Sequence, residues 1–195
     1  MREQTKSRIK LLALAVIFFG PFIAAALFYF GPKDWIPETR TAHGRLITPA
    51  RPLPALGFSN AAGEPQVLQG RWTLLHLGGA ACAEVCRQQL WETRQLRTLL
   101  HRRRDRVQRA YLASDAAQAQ VLAGELAEEH PRLGVLSLPR GERQRFMVWL
   151  GEMPETAPIL LIDPLGNLLM VYGEPLPRKG MLGDIKRLLK LSSIG

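Results

Sequence analysis

The sequence predicts an α/β protein: a mixed sheet with helices on both faces, preceded by one N-terminal transmembrane helix. Three observations carry this. Residues 11–30 form a run of twenty without a charge. From residue 72 onward, short apolar runs of strand length alternate with segments that are apolar at helical spacing. Near the end, Asp163-Pro164-Leu165-Gly166-Asn167 separates two apolar runs with turn chemistry, which adds an antiparallel hairpin to the sheet.

Composition bounds the rest. The chain has 195 residues and a formal charge of +9, enough for one globular domain with an appendage. With 47% apolar and 22% charged residues it is not a disordered chain. Two cysteines exclude both a disulfide-stapled miniprotein and a four-cysteine zinc site.

A helix over residues 11–30 would be ~30 Å long, the thickness of the bilayer's hydrocarbon core. Pro21 interrupts it, which membrane helices tolerate. Tyr29 and Trp35 stand at the far end, where interfacial aromatics belong. Arg2, Lys6, Arg8 and Lys10 precede the run against the single acid Glu3. The basic flank keeps residues 1–10 in the cytoplasm as a tail, makes residues 11–30 an anchor in the inner membrane, and exports the remainder. A cleaved signal peptide, with Ala24 and Ala26 as the small residues before the cut, is the alternative. Against it, Leu27-Phe28-Tyr29-Phe30 continues the apolar run beyond the cut.

Residues 31–52 read as a Pro-rich linker, with Pro32, Pro37, Pro49 and Pro52 excluding a regular helix. The compact domain is expected over 53–195. Strands are predicted at 72–77, 107–113, 133–138, 159–162 and 168–172. Helices are predicted at about 82–101, then from Ser114-Asp115 to His130-Pro131, at 142–150, and around Met181, Ile185, Leu188 and Leu189. Asp115 with Gln118 three residues on has the form of a capping box. The cluster Arg102, Arg103, Arg104, Arg106 and Arg109 suits either anionic headgroups or an acidic partner face. A solvated helix end, where cations oppose the macrodipole, is the plainer account and is preferred. No nucleic-acid motif accompanies the cluster, so nucleic acid is not an expected partner.

Cys82 and Cys86 are spaced C-x-x-x-C where the first predicted strand turns into the first helix. Residues i and i+4 share a helical face, with Cα atoms ~6 Å apart, inside the disulfide range. A sulfur at a helix N-terminus is biased toward thiolate, and an exported protein meets an oxidising compartment. The pair can therefore alternate between dithiol and disulfide, or clamp a soft ion such as Cu(I). A static disulfide, or two inert thiols, is the alternative. His76 lies six residues before Cys82 on the strand. It is a candidate proton acceptor for a thiol, or a nitrogen ligand for a metal, against the alternative of a core histidine. His43, His101 and His130 are expected to have no chemical role.

The string Trp72 to Cys86, WTLLHLGGAACAEVC, resembles the start of the Sco/SenC family, membrane-anchored and thioredoxin-like copper chaperones for cytochrome c oxidase. That family's motif runs from an apolar strand through a Gly turn to C-P-[DE]-[VI]-C-P. Gly78, Cys82, Glu84, Val85 and Cys86 match, while Ala83 and Arg87 replace the prolines. YLASD at 111–115 and LLIDPLGNLLMVY at 160–172 are similar to the family's second strand and terminal hairpin. The resemblance implies a thioredoxin-like fold, Cu(I) as the metal, and a respiratory oxidase subunit or another assembly factor as partner. It implies Cys82 and Cys86 as copper ligands or as a redox pair.

One departure is plain. The family's third copper ligand is a histidine before the hairpin, and here that stretch reads Met153-Pro154-Glu155-Thr156-Ala157-Pro158. Glu155 stands about where the histidine would fall, and a carboxylate suits Cu(I) poorly. His76 occupies the place of the buried acid that thioredoxins carry six residues before their first active-site cysteine. Pro158 resembles the thioredoxin proline that faces the cysteines. The expected activities are Cu(I) delivery through Cys82, Cys86 and His76, or thiol–disulfide exchange in which Cys82 attacks, Cys86 resolves and His76 takes the proton. A non-catalytic binding module of the assembly machinery is the alternative.

Overall fold

The computed structural model describes residues 2–30, 42–79, 81–153 and 158–194. The chain divides into two compact units, residues 1–40 and 41–195. Among its described residues the first is one helix, α1 (Arg2–Phe30), with Pro21 inside it. Its apolar side chains Ile17, Phe18 and Phe22 are exposed. Among the described residues no helix is long and apolar enough to cross a membrane.

The second unit is built on one seven-stranded sheet. In chain order its elements are β1 (Arg45–Pro52), β2 (Ser59–Asn60), β3 (Trp72–Leu77), α2 (Glu84–Thr98), a 3-10 helix (His101–Arg106), β4 (Val107–Leu112), α3 (Ala116–Leu126), β5 (Leu133–Ser137), α4 (Arg140–Leu150), β6 (Ile159–Ile162), β7 (Asn167–Tyr172) and α5 (Arg178–Leu191). The spatial order is β1-β7-β6-β3-β4-β5-β2. β3, β4 and β5 are parallel, and β6 runs antiparallel to β3. β7 and β1 then continue the sheet antiparallel. This is the mixed sheet that the alternating pattern predicts.

Side-chain alternation sorts the core into two layers. Leu75, Ala110, Leu112, Leu160 and Ile162 point to the face covered by α4 through Phe146 and Leu150. Trp72, Leu74, Val107, Ile159 and Leu161 point to the face covered by Leu96 of α2 and by Met181, Ile185 and Leu189 of α5. α3 closes that second face over β4 and β5 with Ala119, Leu122 and Leu126. Asp115 is its N-cap, its carboxylate accepting from the Gln118 N–H, so the predicted capping box is half realised.

Three expectations need correction. Residues 45–52 are not linker: they form edge strand β1, paired with β7. Pro49 and Pro52 are compatible with a strand here because an edge has only one ladder to satisfy, and the pairing is interrupted between Leu46 and Arg51. Residues 31–41 of that linker, Trp35 included, lie outside the described residues. Helix α2 begins at Glu84 rather than Cys82 and stops at Thr98. The chain then passes through His101 at φ 49°, a left-handed residue that ends the helical run, and the arginine cluster falls on the 3-10 helix except for Arg109, which lies on β4. There Arg106 donates to the carbonyls of Leu189, Ser192 and Ile194, so it caps the C-terminus of α5 rather than its own helix.

The segment before β1 is pinned to α5. Buried Asp184 accepts from the His43 and Gly44 N–H groups and from the Tyr172 hydroxyl, and its second oxygen lies 3.2 Å from His43 Nδ1. The His43 ring rests where a side chain at Gly180 would be, 2.2 Å from the nearest ring carbon. Gly180→Ala should therefore displace the His43 ring and cost about 1–3 kcal/mol in urea unfolding. An unchanged urea midpoint would show that the pin carries no stability.

Candidate functional site

The site forms where β3 ends. β3 is buried from Trp72 to His76, and its last residues are held from both sides. The Leu77 N–H donates to the Pro158 carbonyl (3.1 Å) and the Gly78 N–H to the Leu112 carbonyl (3.0 Å). Arg143, reaching over from α4, donates to the carbonyls of Gly78 (3.0 Å) and Ala113 (2.6 Å). It thereby ties the two loops that follow β3 and β4. The Tyr111 ring lies against Gly78 so closely that an added Cβ would fall 2.1 Å from its Cζ. Only glycine fits there, and burial keeps the Tyr111 phenol protonated beyond its ordinary range.

The chain leaves this clamp and reaches Cys82, two residues ahead of α2. Cys82 and Cys86 form a disulfide with Cα atoms 5.1 Å apart. The two sulfur-bearing residues are not equivalent. Cys82 is buried, with Leu90, Tyr111, Ala113, Leu122 and Val135 in its cluster. Cys86, one turn into the helix, packs only at the edge of that cluster and is half-buried. Glu84 and Val85 beside it are exposed. The disulfide is thus fixed from below by apolar packing and reachable from above at Cys86.

His76 is placed elsewhere. Its Nε2 lies 3.1 Å from Thr93 Oγ1, and Thr93 is seven residues past Cys86, ~10 Å farther along the α2 axis. Thr93 Oγ1 donates within its own helix, toward the Gln89 carbonyl (3.0 Å), and accepts from Arg109 Nε (3.1 Å). Burial, followed by repulsion from Arg109, pushes the imidazole down to about 3. It is a neutral core group two turns from the sulfurs, not one lying beneath them. Among the described residues, no three His, Cys, Asp or Glu side chains come together as a metal set. Glu155 lies outside the described residues, and so does the residue before Pro158. Of the predicted site residues, the structure brings together Cys82 and Cys86, while the Pro158 carbonyl meets the Leu77 N–H at the end of β3.

Arg143, Tyr111 and Thr93 were not singled out as site residues by sequence reasoning, and Arg109 only as a member of the arginine cluster. Thr93 did carry a signal: a polar residue three from both Leu90 and Leu96, on the buried stripe of α2. Arg143 carried none, because its two carbonyl partners lie 65 and 30 residues away.

A family model described as transmembrane-like, thioredoxin-like, C-terminal domain matches residues 72–192, from the first residue of β3 to just past α5. The chain belongs to this family. Solved structures give the same fold. The apo Sco1 protein of Thermus thermophilus superposes with TM-score 0.63 at 21% identity, covering 77% of this chain and 99% of that one. Copper-bound ScoI of Bradyrhizobium japonicum gives TM-score 0.56 at 20% identity, covering 70% and 98%. BsSco, a Sco-family cytochrome c oxidase assembly protein with an identified disulfide switch, gives 0.58 at 16%, covering 76% and 99%. No curated protein matches in sequence. These three neighbours are Sco proteins, the family that the string from Trp72 to Cys86 resembles.

The depressed imidazole has a measurable consequence. In the unfolded chain His76 takes a proton near 6.5, and in the fold only near 3. Between these values the unfolded state binds more protons, so this contribution is complete above about pH 6.5 and is lost as pH falls toward 3, by up to ~1.4 kcal/mol per pH unit. His130 is shifted in the same direction, chiefly by burial. Urea unfolding at about pH 7 and about pH 5 should show this loss, and His76→Gln should flatten it. An equal pH slope in the variant would contradict the assignment.

Proposed function

We propose that this protein is an exported, membrane-anchored, thioredoxin-like factor of cytochrome c oxidase assembly that works through thiol–disulfide exchange at Cys82–Cys86. The observation that carries this is the disulfide itself, closed across one helical turn at the end of the central strand, with Cys86 accessible and Cys82 packed. In the reduced protein, the Cys86 thiolate attacks a partner disulfide, forming a mixed disulfide and releasing one partner thiolate. The Cys82 thiolate then attacks Cys86 Sγ, restoring the internal disulfide and releasing the second partner thiolate. Two electrons pass to the partner, the released thiolates take protons from water, and an external dithiol must reduce the pair again. The exposure of the two residues reverses the roles expected from their order in the chain: Cys86 meets the partner and Cys82 resolves. His76, held by Thr93, is not needed for the proton.

The partner in this reading is an oxidase subunit or assembly factor whose copper-site cysteines must be reduced before metal enters. In this reading the anchor is the run 11–30, twenty residues of the sequence without a charge. The basic residues before it leave 1–10 in the cytoplasm and the sheet domain outside the inner membrane, with 31–41 as spacer.

A second reading, Cu(I) delivery, draws support from the copper-bound Sco structures and from the softness of two facing thiolates. In it copper is cargo, held by Cys82 and Cys86 once reduced. The Thr93 contact leaves His76 no part in that set, so a third ligand would come from the recipient. If neither chemistry operates, the protein is a binding module with a locked disulfide.

Two experiments separate these. Cys82→Ser should accumulate a mixed disulfide through Cys86, whereas Cys86→Ser should trap little, read as intermolecular adducts on non-reducing gels with a model disulfide substrate. Trapping only in Cys86→Ser would restore the order expected from sequence. Titration of the reduced protein with Cu(I) against a competing chelator should show binding far weaker than with a complete three-ligand site. Tight one-to-one binding that disappears in either serine variant would make delivery the function.

A further inference from the structure

On the α2 face of the sheet, away from the disulfide, a cavity of about 210 Å3 is lined by Arg94, Arg97, Arg104, Arg109, Arg132 and His130, among others. Arg109 is the anomaly. It is 3% exposed, and its guanidinium meets only neutral groups: Thr93 Oγ1 at 3.1 Å and the Leu90 carbonyl at 2.6 Å. Among the described residues no carboxylate pairs with it, although a buried charge is ordinarily paired.

The cavity's other cations do not relieve it. Arg97 spends its Nε on the Val107 carbonyl and its Nη2 on Asp105. The same Asp105 carboxylate also faces Arg104 at 3.9 Å and Arg132 at 3.7 Å. Arg94 donates to a backbone carbonyl, that of Glu129. The Glu129 carboxylate is on the surface, 4.0 Å from His130 Nε2. Buried His130 Nδ1 has no partner among the described residues. The positive charges are crowded enough to lower one another: Arg109 is pushed down to about 10, by burial first and then by Arg94 and Arg97.

We propose that this cavity is a binding site for a phosphate-class oxyanion, which supplies the missing counter-charge to Arg109 while Arg94, Arg97 and Arg132 hold it from the rim. Several guanidiniums around one small space suit a tetrahedral oxyanion better than a lone carboxylate, because its oxygens can accept from the remaining N–H groups of different arginines on different sides. Arg109 also bonds Thr93 and the Leu90 carbonyl, so the anion is linked through it to the underside of α2, the helix that carries Cys86. The site is independent of the exchange chemistry above and would stand if that reading failed. The same phosphoryl group can arrive as free phosphate or at the head of an anionic lipid.

The test is calorimetric titration of the full chain, solubilised in a zwitterionic detergent, with sodium phosphate against sodium chloride at matched ionic strength. One saturable phosphate site is expected. Arg94→Gln and Arg132→Gln, at exposed positions, should each weaken it about tenfold, while cooperative thermal unfolding in chloride shows that both variants are folded. Dihexanoyl phosphatidate, a soluble lipid headgroup, decides the source. Tighter binding than inorganic phosphate, with the same arginine dependence, assigns a lipid, and weaker binding assigns a soluble phosphate. Phosphate heats indistinguishable from chloride, or affinities unmoved by both substitutions, would overturn the proposal.

Discussion

The placement of the sulfurs depends on the last hydrogen bonds of β3. Leu77 and Gly78 are held by the Pro158 and Leu112 carbonyls, and Arg143 reaches across to the Gly78 carbonyl. Without these bonds the loop from Gly78 to Cys82 would be a tether of small residues with little packing of its own. With them, Cys82 is delivered into the cluster of Tyr111, Leu122 and Val135, and Cys86 follows one helical turn later at the surface. Sheet topology produces this arrangement: the parallel strands β3 and β4 end side by side and the antiparallel β6 begins beside them. The carboxyl end of a central parallel strand is the usual location of sites in open α/β sheets.

A second constraint lies beneath α2. Thr93 gathers two groups that are awkward to bury, an imidazole and a guanidinium, on one hydroxyl. The imidazole solves its desolvation by staying neutral, whereas the guanidinium has no such route and keeps its charge. The helix that presents the disulfide at its first turn thus rests, two turns later, on an uncompensated positive charge. The disulfide end of α2 is therefore apolar below and open above, while its middle is polar below. This is a physical reason for separating the chemistry of Cys82 and Cys86 from any role of His76.

Much of the fold was legible because its signals are local. Each strand from β3 to β7 is a short apolar run bounded by turn or cap residues, and each helix has its apolar stripe. β1 was not legible, since Pro49 and Pro52 argue against a strand wherever an edge position cannot be recognised, and edge position is a property of the finished sheet. The cysteine pair was legible from its spacing. The distance of His76 from it was not: nearness along the chain says how far a residue is from the strand's end, not which helical turn packs above it. Arg143 and Arg106 were invisible for the same reason, being side chains that satisfy backbone carbonyls many residues away. The arginine cluster, preferred as a solvated helix end, in fact has three separate roles: Arg106 caps α5, Arg109 is buried, and Arg102 and Arg103 are exposed.

The central claim is that the bond between Cys82 and Cys86 is exchanged in function rather than kept as a staple, and its equilibrium potential tests this most directly. In redox buffers of graded potential, with the thiols counted by alkylation and mass, the account predicts a reversible two-electron transition with a midpoint above about −300 mV, in the range of exchanging dithiols. A bond that stays closed well below about −300 mV, as structural disulfides do, would contradict it.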